Sequence, residues 1–216
     1  MFDPSTPTLM HSNWFSILSF MLLVPISVFS SRTRFTQLFH LITKYIVTEF
    51  KPLLKKSSFI LIIPVTLFIF IALNNAMGLA PYIFTGTSQL ILAASLALPL
   101  WLSLSIYGWL NNTSNTLAHL IPQGTPMLLM PFMVMIETIS NLIRPLTLAV
   151  RLTANMVAGH LLIVLLNSAD PVTPLLATPL LFSAKQALLL LEFAVAFIQA
   201  YVFSVLVTLY AAEFTS

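Results

Sequence analysis

From Ser57 to Ile136 the chain runs 80 residues without one Asp, Glu, Lys or Arg, and residues 4–31 are equally free of charge. About 20 consecutive apolar residues are enough for a helix to cross a bilayer core, so these runs imply several crossings. Only 7% of the 216 residues are charged and 58% are hydrophobic, against roughly 25% charged in a soluble domain. In hydrocarbon, backbone polar groups must bond within their own segment or in a closed barrel. With few strand-like alternations, helices are the solution. The expected fold is an all-α integral membrane protein, a single membrane domain over residues 1–216.

A first span fits residues 13–31, with Trp14 at an interfacial position. The N-terminal "MFDPSTPTLMHSNWF" has neither a basic region nor a small-residue cleavage site suited to a signal peptide, so this helix is expected to be retained. Composition then shifts. Residues 32–56 hold six of the nine basic residues and one acid, Glu49. Phe35, Leu38, Phe39, Ile42, Tyr45, Ile46, Phe50 and Leu53 recur there at helical spacing, which predicts an amphipathic helix on the membrane surface. Basic loops stay on the cytoplasm-like side, which puts the N-terminus on the other side.

Two spans are expected within 57–110, separated by the Gly- and Pro-bearing "GLAPYIFTG". Two apolar segments, 127–166 and 175–214, follow the polar stretch "NNTSNTLAHLIPQGTP". Each makes a helix of about 60 Å, twice the roughly 30 Å hydrocarbon thickness. Neither contains a turn-forming cluster at its middle, and Pro145 alone is absorbed as a kink. They are therefore expected as a hairpin of two long tilted helices beside about three transmembrane helices and one surface helix. Five passages put the C-terminus on the side of the basic loop.

Glu137, Arg144, Arg151, His160, Lys185, Glu192 and Glu213 all fall in this hairpin. Steps of seven residues return to nearly the same helix face, so Glu137, Arg144 and Arg151 share one stripe. Lys185, Glu192, Gln199 and Glu213 share another. Ionisable residues inside a membrane are costly and point to function; two such stripes describe an aqueous path. Arg144 and Lys185 admit a second reading, in which long basic side chains snorkel to the interface. Lys185 and Glu192 are two turns apart, too far for the usual helical pair.

Arg151 has Thr147, Leu148, Ala154 and Asn155 at the positions three and four residues away, none acidic. Glu137 lies about 21 Å along the helix. A guanidinium does not deprotonate in proteins, so Arg151 cannot relay protons; it is a fixed barrier to cations and an attractor of carboxylates. Thr147, Ala154, Asn155 and Ala158 make its face small, and small residues let another helix approach. The expected counter-charge is a carboxylate on another chain. The glutamates and His160 can each gain and lose a proton. His160, nine residues on, points away from Arg151 toward the other arm, where Glu192 lies.

The chain has no cysteine, which excludes disulfides and thiol chemistry. With only five glycines there is no phosphate-cradling loop, and the net charge of +3 is too scattered for nucleic acid. Neither a metal site nor a cofactor is expected. A haem subunit needs histidines paired across helices, but His11, His40, His119 and His160 fall in four separate elements. A stand-alone proton-coupled transporter is the main alternative; it would show internal repeats with paired broken helices, and none is visible. A purely structural subunit would not need charge stripes.

"PFMVMIETISNLIRPLTLAVRLTANMVAGHLL" and "LLLLEFAVAFIQAYVFSVLVTLY" closely resemble the two long membrane helices of the subunit a family of F-type ATP synthases, in its mitochondrially encoded form. "HLIPQGTP" at 119–126 is similar to the loop before them. The resemblance implies a non-catalytic stator beside a rotating ring of c subunits, each with a membrane carboxylate, served by two offset half-channels. It implies that Arg151, in the "R-L-x-x-N" motif with Asn155, separates the half-channels. His160 and Glu192 then serve uptake from the intermembrane space, Glu137 and Glu213 serve release to the matrix, and Gln199 is a polar neighbour of the arginine. Arg144 stands where some members carry glutamine, and with Lys185 it is at most accessory. The implied partners are the c-ring, other membrane and peripheral-stalk subunits, membrane lipid and protons. The implied location is the mitochondrial inner membrane, with the N-terminus on the intermembrane-space side and the C-terminus in the matrix.

Overall fold

The computed structural model describes residues 34–53, 60–80, 83–111, 126–168 and 178–215, and isolated positions 17, 24, 113, 116–117 and 120–121; within the helices the side chains of Phe35, Leu128, Leu180 and residues 213–215 are excluded. The first span expected at 13–31 therefore lies almost wholly outside the described residues.

Among the described residues the fold is all-helical. Helix α1 covers Arg34–Phe50, α2 Ile62–Gly78, α3 Leu90–Asn111, α4 Met130–Ser168 and α5 Thr178–Thr215. Three of them, Leu90–Asn111, Met130–Ser168 and Leu181–Ala212, are long and apolar enough to cross a membrane. The 17 residues of α2 span only about 26 Å. The 39 residues of α4 and 38 of α5 form the hairpin. Pro145 sits inside α4 without ending it, and Pro99 does the same in α3. A missing N–H in a membrane helix is tolerated where neighbouring groups re-satisfy the backbone.

Helix α5 is the axis of the bundle. Its Ala200, Phe203 and Val207 pack with Ile71 and Ala72 of α2, Ala93 and Ala97 of α3, and Leu148, Ala149 and Leu152 of α4. A second cluster joins Ile46 and Phe50 of α1 to Leu61 and Val65 at the start of α2 and to Ala211 near the end of α5. Alanine is frequent in the first cluster because lipid tails are as apolar as leucine; helices associate where small side chains let backbones come close. Two buried hydroxyls of α5 are satisfied within their own helix: Ser204 Oγ donates to the Tyr201 carbonyl at 2.8 Å and Thr208 Oγ1 to that of Val205 at 2.7 Å.

The outside of the bundle is apolar. Leu102, Ile106, Leu142, Ile143, Leu161, Leu190 and Phe193 are all exposed, an inversion that suits a surface facing lipid or other membrane subunits. The connection after α2 is folded back into the protein. Phe84, Thr85, Gly86, Thr87 and Ser88 are buried there, and Ser88 Oγ donates to the Thr85 carbonyl at 2.7 Å. Irregular backbone at membrane depth is tolerated when protein encloses it.

Candidate functional site

Among the described residues, two cavities with a glutamate in their lining flank the hairpin, one toward each end. The first, about 180 Å³, lies where α2, α4 and α5 meet. Asn75, Asn155, Glu192 and Gln199 give it its polar wall, and leucines with Met156, Ala158, Gly159, Val195 and Ala196 supply the rest. Such a space is large enough for several waters, since each needs at least about 10–15 Å³. Glu192 is only 8% exposed, and neither carboxylate oxygen has a hydrogen-bond partner among the described residues. Helix α4 passes so close that the carboxyl lies directly on Gly159.

His160, the next residue, is equally buried, and its ring hydrogen-bonds the backbone of Gly78 at the end of α2. It therefore faces inward, as its half-turn offset from Arg151 predicts. The structure adds that its bonding partner comes from α2. Asn75, three residues before Gly78, is fully buried. Its Nδ2 donates to the Ala196 carbonyl of α5 at 3.3 Å, tying α2 to α5 one turn beyond Glu192. Sequence reasoning passed over Asn75; the signal was a pair of asparagines, Asn74 and Asn75, in an otherwise apolar helix.

The second cavity, about 330 Å³, lies between α3 and α4. Trp101, Ser105 and Trp109 line it from α3, and Glu137, Thr138, Asn141 and Arg144 from α4. Arg144 Nη2 donates to Glu137 Oε1 at 3.4 Å, with each side chain about a third exposed. The guanidinium also stands over the Tyr210 ring of α5, 5.6 Å from its centroid. Tyr210 was not anticipated; its place three residues before Glu213, on the arm facing Arg144, was the available signal. Lys185 lies on neither of these cavities; with Thr178, Pro179 and Phe182 it lines a separate recess at the start of α5. The side chain of Glu213 is outside the described residues.

Arg151 belongs to neither cavity. It lies about 21 Å along α4 from Glu137 and about 14 Å from His160. It is exposed, and among the described residues it has no hydrogen bond and no ion pair. Thr147, Ala154 and Ala158 around it are exposed as well, while Asn155 turns partly inward to the first cavity. The arrangement is thus two polar recesses at different heights, each with a glutamate. Between them Arg151, unpaired among the described residues, sits on an open, small-residue face. Among the described residues no group of three or more His, Cys, Asp or Glu could hold a metal ion.

Comparison with known sequences bears on this geometry. A family model described as "ATP synthase A chain" matches residues 10–212. The protein named ATP synthase subunit a from Drosophila simulans is 52% identical over 218 residues, covering 99% of this chain and 96% of the relative. Its Anopheles gambiae counterpart is 52% identical over 217 residues, with the same coverage. That of Locusta migratoria is 50% identical over 215 residues, covering 98% and 96%.

Proposed function

Since the chain belongs to the ATP synthase A chain family, we propose that it is the stator through which protons reach and leave the carboxylates of a rotating c-ring. The mitochondrial inner membrane is the proposed site, with the cavity of Glu192 open toward the intermembrane space and that of Glu137 toward the matrix. One observation carries the reading. Arg151 stands exposed and without a counter-ion among the described residues, on a face of Thr147, Ala154 and Ala158, between two recesses that each hold a glutamate.

Isolated charge in a membrane is expensive, so its partner comes from outside the chain. A ring carboxylate arriving at Arg151 is favoured in its ionised form, because pairing with a permanent cation stabilises the anion. It must therefore give up its proton before passing, on the side of the Glu137 recess. Once past, it is exposed to the Glu192 recess, takes a proton through Glu192, His160 and the waters beside Asn155 and Gln199, and returns to lipid uncharged. Glu213, at the same end of the hairpin as Glu137, serves release. Arg144 stabilises charge at the release recess as an accessory group, and Lys185 takes no direct part in transfer.

A guanidinium cannot carry a proton, so the two recesses communicate only by way of the ring. Each charge moved through the membrane field releases about 2.3 kcal/mol per 100 mV, and that drives rotation only while the direct route is shut. This chain conducts and the chemistry of ATP belongs to other subunits of the complex, which also include those of the peripheral stalk. The reading is tested with the purified complex carrying Arg151→Gln. A small carboxylate-bearing ring should copurify with the wild-type protein. The variant should assemble, lose coupled synthesis, and conduct protons passively in liposomes without turnover. Retained synthesis at the wild-type rate refutes the proposal.

A further inference from the structure

Gly159 is the residue of α4 on which the Glu192 carboxyl rests. A β-carbon built on Gly159 would overlap Glu192 Oε1 and would stand 2.8 Å from its Cδ and 3.1 Å from its Cγ. The three nearest heavy atoms all belong to that one side chain. The space left by the missing methyl group is therefore filled by Glu192 and by nothing closer.

The glycine has no conformational reason to be there. Gly159 lies inside α4, nine residues from its end, and its φ is not in the left-handed region. Inside a helix glycine costs about 1 kcal/mol relative to alanine. Close approach by another group is the remaining explanation, and the group in question is the buried carboxyl of the uptake cavity. We propose that Gly159 is a positioning residue for proton uptake: it lets the Glu192 carboxyl come into contact with α4, at the residue next to His160 in the chain. The inference rests on the role given to Glu192 above and adds what determines where that carboxyl sits.

A methyl group at 159 would find Cδ of Glu192 about 0.7 Å inside normal carbon contact. The carboxyl is the far end of a flexible side chain, so it can swing aside by turning its own torsions, and the helices need not separate. The expected result is an assembled subunit with a displaced proton acceptor. Misplacement of a reacting group by about 1 Å costs up to 10²-fold in rate.

The experiment uses the whole complex reconstituted in liposomes, with acid-pulse proton flux and assembly measured side by side. Gly159→Ala should assemble and slow flux by about tenfold or more. Glu192→Asp, one methylene shorter, should be slow alone yet should speed the Gly159→Ala protein when combined with it. Glu192→Gln separates the two layers of the argument. If it leaves flux intact, Glu192 is not on the path and both ideas fall. If it slows flux while Gly159→Ala does not, the role of Glu192 stands and the positioning role is overturned. A slow Gly159→Ala protein that Glu192→Asp cannot improve owes its defect to general helix packing, which also overturns it. Should Gly159→Ala block assembly, Glu192→Ala must restore it; a defect persisting in that double variant refutes the steric pairing.

Discussion

Replacing Arg151 with lysine keeps the charge and tests whether the fork of the guanidinium matters. The structure first bounds the cost to the subunit itself. Arg151 is exposed and bonds no described residue, and surface substitutions away from specific contacts stay within about 0.5 kcal/mol. The variant should therefore fold and assemble at normal abundance, and any functional loss comes from contacts made outside the chain. There the change is large. A guanidinium pairs with a carboxylate through two parallel bonds, while an ammonium acts as a single point charge. One hydrogen bond to a charged group contributes about 1.5–3 kcal/mol. At about 1.4 kcal/mol per decade, losing it weakens the pairing by roughly 10- to 150-fold.

Proton-driven ATP synthesis in inner-membrane vesicles, normalised to the amount of assembled complex, is the measurement. It should fall by at least about tenfold, the lower end of the loss in pairing. An Arg151→Lys complex that makes ATP at the wild-type rate would show that bidentate pairing is irrelevant. A complex lost in proportion to its activity would show that Arg151 has a structural partner, contrary to its open position.

Ala154→Phe adds bulk to the exposed small-residue face beside Arg151 at a position that lines neither cavity, so the chain should fold while the c-ring is displaced; normal ring copurification would contradict a close approach there. Asn75→Ala removes the 3.3 Å bond to the Ala196 carbonyl, and membrane hydrogen bonds contribute roughly 0.6–1.7 kcal/mol. The thermal midpoint of the subunit should drop by a few degrees, since 1 kcal/mol shifts a chain of this size by about 2–4 °C; an unchanged midpoint refutes the tie. Arg144→Gln breaks a pair that is a third exposed on each side, worth about 0–1 kcal/mol. Synthesis per complex should stay within about fivefold of wild type, and a larger fall would make Arg144 essential.

The hairpin was readable because its signal is one of length. About forty apolar residues with no polar cluster at the middle leave little alternative to a long helix, and Pro145 did not mislead because a kink is cheap where neighbours re-satisfy the backbone. The isolation of Arg151 was readable for a similar reason, since every residue within a turn of it can be inspected and none is acidic. What depended on register between helices could not be read. Asn75 bonds Ala196, 121 positions away, and His160 meets the backbone of Gly78. Gly159 became meaningful only when Glu192 was found lying on it.

The pairing of Arg144 with Glu137 has a reason that lies within one helix and was still not foreseen. Seven residues is about 10.5 Å of rise, beyond the usual three- or four-residue pair. But helical side chains lean toward the N-terminus. An arginine placed after its glutamate therefore leans back across the gap, and the structure closes it to 3.4 Å. Lys185 precedes Glu192 by the same seven residues and leans the wrong way, toward the start of α5. Equal spacing thus joins one pair and not the other, because the direction of the side chain decides.

The same kind of asymmetry explains why the open face of α4 was legible at all. Ala72, Ala93, Ala97, Ala149, Ala200 and Ala211 are buried where helices of this chain touch, whereas Ala154 and Ala158 are exposed. Small residues mark close approach in both cases, and composition alone cannot separate the contacts made within the chain from the one left open. Charge does separate them. A contact inside the bundle would bury Arg151 against alanine and leucine with no acid to meet it, at a cost that no packing gain offsets. The small-residue stripe that carries the cation is therefore the one that must remain available to a second, acid-bearing protein.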